Sequence, residues 1–453
     1  MSANPAETLI DHALSLRWET IPAPAKARAQ TFLHDSIAVG VAGRNAAHAD
    51  GVLAMARGWG DGGAAGVLGR PGLRLPAASA AFVNAFQIHG QEYDCVHEPA
   101  VLHPMATVLA ALLAEMERGE PVSGEALLTA IVAGVDVAVT LGIAAPDALQ
   151  FFRPATAGIF GCVAAIASLR QMPRAMALDA FGHALAFASG TMQAHVEGKP
   201  ALPVQAANAA RSSLVAIDLA RAGMPGVAHP LEGPFGYFAL MEKREELGAA
   251  LARLGKGHRI EEVSWKPFPT GRAGHGGIVA VQQMLTRGLN AGNLESLEYR
   301  APPLIHRLVG RPATTAMEPG YARLCLPFLA AVTLLRGTVS LGDFQPATLT
   351  DPEVLALAAR IRVVADDNPD LAAFVPARAS ARGLDGREWS EDVAAQFGSP
   401  EWPLSEAEHC AKAQGCLAFA GLAHCHDALV EAVAQMPASS DAMASLRESG
   451  VIG

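Results

Sequence analysis

The sequence predicts a mainly α protein, a large all-helical domain with a smaller α+β unit inserted ahead of the C-terminal helices. Three observations predict it. Apolar residues recur at three- and four-residue steps from about residue 5 to 245. Short β-leaning runs break that pattern from about 256. Helical periodicity returns after a capping box that opens at Ser405 and closes at Glu408. The expected division is 1-255 plus 397-453 for the helical domain and 256-396 for the inserted unit. A chain of 453 residues also exceeds what one hydrophobic core usually serves.

The first long helix carries Ala29, Phe32, Leu33, Ile37 and Val41 along one face and stops at Gly43. Further helices are expected over 51-58, 78-89, 104-118, 124-142, 157-170, 174-190, 203-222 and 235-247, with Pro22, Pro104 and Pro121 at starts or joints. Past 256, strands are expected at 259-264, 295-301, 361-365 and 376-383, among helices at about 273-287, 325-336 and 352-360. Asp351 reads as the N-cap of the last helix, with Pro352 in its first turn. Residues 383-387 read as a turn between two strands, and the final helices are expected to pack back on the first domain.

A hydrophobic fraction of 51 % against 17 % charged residues points to closely packed helices with much buried surface. The net charge of −10, with no Lys/Arg-rich face, argues against nucleic acid as a partner. The N-terminus lacks a basic region followed by an apolar one, so a cytoplasmic location is expected. Two apolar stretches, 126-145 and 157-169, suggest a membrane. Asp136 lies within the first and Pro146 follows it, while the second is too short for ~30 Å of hydrocarbon; both are expected to be buried helices. Six cysteines in so long a chain do not make a disulfide framework. His409, Cys410, Cys416, His424, Cys425 and His426 contain no C-x-x-C pair and fall around a helix axis, so no metal is expected. The dinucleotide, phosphate-loop and nucleophile-elbow motifs are missing too, and no cofactor is expected.

Chemistry concentrates in three places. Between two apolar helices, residues 89-103 hold His89, His97, His103, Glu92, Asp94, Glu98 and Tyr93, a form suited to acid–base work. The bland alternative is a solvated loop whose histidines cap helix ends. The run Trp265-Lys-Pro-Phe-Pro-Thr-Gly-Arg-Ala-Gly-His275 offers Lys266, Arg272 and His275 beside a helix start, an anion-binding set, or else a well-punctuated domain crossing. The Gly190–Pro200 loop carries Lys199 and leads to Gln205, Asn208 and Arg211; function and ordinary loop weigh equally there. Arg153, ahead of an apolar helix, is an anion clamp or a surface charge.

At these residues the chain resembles the MmgE/PrpD family, which includes 2-methylcitrate dehydratase, cis-aconitate decarboxylase and iminodisuccinate epimerase. The likeness runs from Phe32-Leu-His-Asp-Ser-Ile-Ala-Val-Gly-Val-Ala-Gly43 through Ala81-Phe-Val-Asn-Ala-Phe-Gln-Ile-His89, Ala100-Val-Leu-His-Pro104 and Thr156-Ala-Gly-Ile-Phe-Gly161. It continues in Asn208-Ala-Ala-Arg-Ser212, Leu231-Glu-Gly-Pro-Phe-Gly236, Lys266-Pro-Phe-Pro269 with His275, and Pro403-Leu-Ser405. The resemblance implies a helical domain built from both chain ends, an α+β lid, a homodimer, and an interdomain cleft acting on di- or tricarboxylates without a cofactor. His103 falls on the family's site histidine, and Lys266 and His275 on the ends of its Lys-Pro-aromatic-Pro…His segment. The chain departs from the family's Asp-Phe-Asp-Asp run with Glu92-Tyr93-Asp94-Cys95, and from its Thr with Val96. Leu202 and Gln205 replace Lys-x-x-His, with Lys199 nearby, and Phe152 or Arg153 stands near a missing histidine.

The expected chemistry is a lyase reaction, dehydration or decarboxylation, on a small polycarboxylate. His103 serves as base or acid, His275 or His97 as its opposite number, and Glu92 or Asp94 orients an imidazole. Lys266 and Arg272, with Lys199 or Arg153, hold carboxylates; Gln205, Tyr93 and His89 complete the binding set. An isomerase on the same fold and a non-catalytic carboxylate-binding protein are the alternatives.

Overall fold

The computed structural model describes residues 4-146, 149-242, 245-370 and 372-453. Its centre is a layered helix assembly of Ala23–Ala42, Ala77–His89, Pro104–Met116, Gly124–Ile143, Gly158–Arg170 and Ala201–Arg221. These helices are rich in Ala and Gly, so their axes approach closely. A Cβ on Gly161 would lie 2.7 Å from the Ala138 Cβ and 2.7 Å from the Gly134 carbonyl oxygen. That contact locks Gly158–Arg170 onto Gly124–Ile143, and Gly161→Val is expected to destabilise the protein by about 1–3 kcal/mol through overpacking, read as a lower urea midpoint.

Gly124–Ile143 is long and apolar enough to cross a membrane by length and composition, yet 89 % of its most apolar window is buried inside the protein. Its buried acidic side chain, Asp136, accepts from His12 at 2.9 Å, His258 at 2.8 Å and the Arg259 N–H at 2.7 Å. Buried and thus bonded three times, Asp136 ties the first helix, the core and the chain's passage toward the sheet.

The sheet orders its four strands Ile361–Ala365, Leu294–Ala301, Ala377–Gly383 and Glu388–Val393, the first pair parallel and the others antiparallel. Along Ala377–Gly383, Ala377, Ala379 and Ala381 are buried while Arg378, Ser380 and Arg382 are exposed. The buried face packs on the helix His275–Thr286, which begins where the 265–275 segment ends. The sheet therefore fixes that segment from behind. Asp351 caps its helix by accepting from the Glu353 N–H, and Ser405 and Glu408 close their capping box. The helix Glu406–Phe419 then packs on Ala23–Ala42 through a buried Lys412–Asp35 pair at 2.7 Å.

Two elements differ from expectation. Residues 259-264 form a single 3₁₀ turn, Arg259–Glu262, because Asp136 draws in the Arg259 N–H and Glu262 accepts from the Arg259 guanidinium. Only Ser264 pairs as a strand would, with Val96. The helix expected over 235-247 is two short pieces, Tyr237–Met241 and Leu247–Leu251. Glu242 turns extended between them, where its carboxylate meets Arg153 at 3.0 Å and the Tyr237 hydroxyl at 3.1 Å.

Candidate active site

The 89–103 island and the 265–275 segment, far apart in sequence, are joined by the Val96–Ser264 bridge and by side chains. Helix Ala77–His89 ends at His89, and the chain re-enters a helix at Pro104; His103 is the residue before that start. Proline fixes the first turn of the second helix and has no N–H to satisfy, so His103 is held at a rigid joint. Between them Glu92 adopts φ of 49°, a left-handed conformation that a side chain with a Cβ disfavours. Lys266 secures it, donating to the Glu92 carboxylate at 2.8 Å and to its carbonyl at 3.3 Å. Backbone held against its preference at a polar cluster fits a functional site.

Asp94 sits at the middle of this cluster. Its Oδ2 lies 3.0 Å from the Nδ1 of His89 in a well-aligned hydrogen bond and 3.2 Å from the Nδ1 of His103, which is close but off-line. The Lys266 ammonium is 4.0 Å from Oδ1. The two imidazoles meet edge to face with centroids 4.8 Å apart. Burial raises the Asp94 carboxyl, but His103 and His89 outweigh it and hold the group well below the usual carboxylate range. For Glu92 burial is likewise overcome, by Lys266 and the two histidines, bringing it to about 2. The histidines then diverge. Burial lowers His103, Lys266 adds to that, and Asp94 compensates incompletely. Burial also lowers His89, but Asp94 and Glu92 together carry it above its ordinary value. Neighbouring groups pushed in opposite directions supply a base and an acid at one pH.

His103 and Glu92 line a cavity of about 60 Å³ together with His195, Phe152 and Leu202; a second hollow of about 40 Å³ across Glu92 is lined by His89, Lys199 and Arg323. Among the described residues, His89, Asp94 and His103 are also the one set spaced to embrace a metal ion, their donor atoms lying within 4.8 Å of one another. Their contacts have hydrogen-bond lengths, and Lys266 already supplies positive charge beside Asp94, so the donor set suits proton sharing.

Other expected residues stand apart from this cavity or are engaged elsewhere. His97 closes the 97–102 turn by accepting from the Ala100 N–H and bonds Glu262 at 3.0 Å. His275 is fully buried, its Nδ1 3.2 Å from Arg272 and its Nε2 3.4 Å from the Thr270 carbonyl; burial and Arg272 hold it well below its ordinary value. Arg272 borders the cavity, but its guanidinium donates to Glu98 at 2.6 Å and to the carbonyls of Trp265, Gln396 and Phe397. Arg153 grips Glu242. Lys199 is exposed and paired with Glu318 at 2.9 Å. Gln205 accepts from the Thr191 N–H at 2.5 Å, holding the Gly190–Pro200 loop. Tyr93 donates to the Pro267 carbonyl and carries Lys412 over its ring, facing away toward the C-terminal helices.

Three groups escaped sequence reasoning. His195 lines the cavity beside His103, and burial with Arg311 drives its imidazole down to about 3, so it is neutral. Arg311 donates to the His195 carbonyl at 2.9 Å. Arg323, which burial brings to about 9, donates to the carbonyls of Gln91 and Pro269 and to the Gln91 side chain. A lone imidazole in a Gly/Pro-bounded loop was the only available signal for His195; the two arginines carry none.

The comparisons with known proteins bear on the family of the chain. Residues 7–250 match the model of the MmgE/PrpD N-terminal domain and residues 268–435 that of the MmgE/PrpD C-terminal domain. The chain is 26 % identical over 399 residues to the cis-aconitate decarboxylase of Mus musculus, covering 84 % of this chain and 80 % of that one. It is 26 % identical over 359 residues to the Homo sapiens cis-aconitate decarboxylase, covering 76 % and 73 %. It is also 26 % identical over 433 residues to the cis-aconitate decarboxylase-like protein oryM of Aspergillus oryzae, covering 89 % of each. With both halves of the fold matched in order along one sequence, this chain belongs to the MmgE/PrpD family.

Proposed function

We propose that this protein is a lyase of the dehydratase or decarboxylase type, acting on a small carboxylic acid by side-chain acid–base chemistry alone. The observation that carries the reading is His103, lining the cavity with its Nδ1 3.2 Å from a buried Asp94 carboxylate. That contact favours the tautomer with the proton on Nδ1 and leaves the Nε2 lone pair for the substrate. In a dehydration, Nε2 takes a proton from the carbon beside the substrate carboxylate, and the C–H electron pair moves into that carboxylate as an enediolate. The pair then returns to form the C=C bond as hydroxide leaves the neighbouring carbon, carrying off the His103 proton as water. In a decarboxylation the C–C bond breaks instead, its electron pair stays on the carbon as CO₂ departs, and that carbon takes up a proton that His103 relays from solvent water. The buried Lys266–Glu92 pair holds the floor of the site rigid through both.

The printed name of the mammalian relatives supports a lyase and places cis-aconitate among the acids to test. One observation favours a second reading, an isomerase. His195 puts another imidazole on the same cavity, so that a proton taken by one ring from one face could be matched by a solvent-derived proton passed through the other ring to the opposite face. Incubation of candidate acids in D₂O separates the two. A lyase yields an unsaturated or CO₂-depleted product; an isomerase yields deuterated, inverted substrate without elimination. No exchange and no product with any carboxylic acid would remove both readings.

A further inference from the structure

We infer that the hollow beyond Glu92 is a subsite for a second carboxylate of the substrate, held by Arg323 and Lys199. The inference rests on the lyase reading for the chemistry at His103, and on an unbalanced buried charge for the grip on the rest of the acid. Among the described residues, the other buried lysines and arginines each face an acid. Arg153 meets Glu242, Arg259 meets Glu262, Lys266 meets Glu92, Arg272 meets Glu98 and Lys412 meets Asp35. Arg323, only 4 % exposed, has main-chain and amide partners instead. Its Nη1 donates to the carbonyls of Gln91 at 2.9 Å and Pro269 at 2.7 Å, and its Nη2 to the Gln91 side chain. The Nε hydrogen and one on Nη2 are left over. Burial lowers the guanidinium only to about 9, so it is a cation at neutral pH. Its acidic neighbours are already matched, since Lys266 and His89 are set against Glu92 and Asp94. A buried cation with no counter-ion is costly unless a ligand brings one.

Arg323 lines the hollow of about 40 Å³ together with Lys199, His89 and Glu92. That is room for about three water-sized groups, the size of one carboxylate. The hollow and the His103 cavity share Glu92, Leu202 and Leu324 in their walls, so one small acid can reach both. Gly198, at φ of 65°, lets its loop close on the backbone of Tyr321, since a Cβ there would lie 2.6 Å from the Tyr321 Cα. That contact sets Lys199 beside the 319–324 run that carries Arg323. The Lys199 pair with Glu318 lies at the surface and is weak, so the ammonium is free to turn to a ligand carboxylate. Arg307 and Arg311 line neither hollow; Arg307 is exposed on the Leu149 carbonyl, and Arg311 holds the His195 carbonyl. The acid that fits is a di- or tricarboxylate with its reacting carbon at His103 and another carboxylate across Glu92, between a guanidinium fork and an ammonium.

The test measures binding of tricarballylate and butyrate to the intact protein by calorimetry. Wild type is expected to bind tricarballylate at least about tenfold tighter than butyrate. Arg323→Gln should weaken tricarballylate binding about tenfold or more, and Lys199→Gln about three- to tenfold. Arg323 also ties Gln91 to Pro269, and Arg323→Lys separates the two roles. Lysine keeps the charge but lacks the fork, so this variant should lose stability in urea as Arg323→Gln does, yet hold tricarballylate within about threefold of wild type. Butyrate bound as tightly as tricarballylate by wild type overturns the inference. So does unchanged tricarballylate affinity in either folded glutamine variant, or Arg323→Lys binding as weakly as Arg323→Gln, which would make Arg323 a clamp alone. If Arg323→Gln does not fold, the wild-type pair and Lys199→Gln decide. The expected binding pattern without turnover or exchange of any carboxylic acid in D₂O would sink the lyase reading and leave the subsite standing. Turnover with both glutamine variants binding normally would sink the subsite alone.

Discussion

His103→Asn lowers turnover at least about 100-fold on the acid the enzyme uses and leaves the fold intact, the loss expected when a general base is removed. Asparagine can still donate a hydrogen bond toward Asp94, so the carboxylate keeps a partner while the proton acceptor is gone. Stability should change little, because the wild-type contact between His103 and Asp94 is off-line and His89 supplies the aligned bond to the same oxygen. The wild-type pH profile carries an independent signature. Burial and Lys266 depress His103, so its base form is present down to a pH below about 6.5. The rate should therefore rise with pH through that lowered value and stay flat through neutrality. His103→Asn should lose this acid limb as well as the rate. Near-normal turnover in a folded His103→Asn would remove the residue from the mechanism; a limb centred above 6.5 would contradict the environment described for it.

How much of this site could be read beforehand follows from what a sequence encodes. Helix positions were legible because periodicity, Gly43, Asp351 and the Ser405–Glu408 box act over a few residues. The meeting of residues 89–103 with 265–275 was legible because two polar, Pro/Gly-punctuated runs in an apolar chain have few places to be buried except together. Which charges are neutralised was not. Arg272 has the sequence setting of an anion clamp, yet Glu98 and carbonyls from 396–397 enclose it, and those carbonyls arrive from 124 and 125 residues further along the chain. The strand expected at 259-264 failed for the same reason, since Asp136 is over a hundred residues away and captures the N–H a strand would have used. Arg311 and His195 become a pair only because the Gly190–Pro200 loop is brought beside residue 311.

Lys266→Met is expected to be the most destabilising change in the site. Lys266 is fully buried and Glu92 nearly so, at 11 % side-chain exposure, and removing one partner leaves the other as an uncompensated charge. Breaking such a pair costs about 3–5 kcal/mol. The Glu92 carboxyl gives a second route to the size. Holding it at about 2 against 4.5 corresponds to about 3 kcal/mol of stability at neutral pH, shared between Lys266 and the two histidines. The sign follows from the lowered value. This stability is fully present above about pH 4.5 and is lost as pH falls toward 2, where the folded protein also takes up the proton. Urea midpoints of wild type and Lys266→Met should thus differ most near neutrality and converge below pH 4. The double variant Lys266→Met with Glu92→Gln should recover much of the loss, since the neutral amide does not require a counter-ion. A single variant as stable as wild type at pH 7 would mean Glu92 is neutralised elsewhere. A double variant no better than the single would place the cost in packing around the lysine stem, and the pair would no longer be what holds Glu92 in its left-handed turn beside His103.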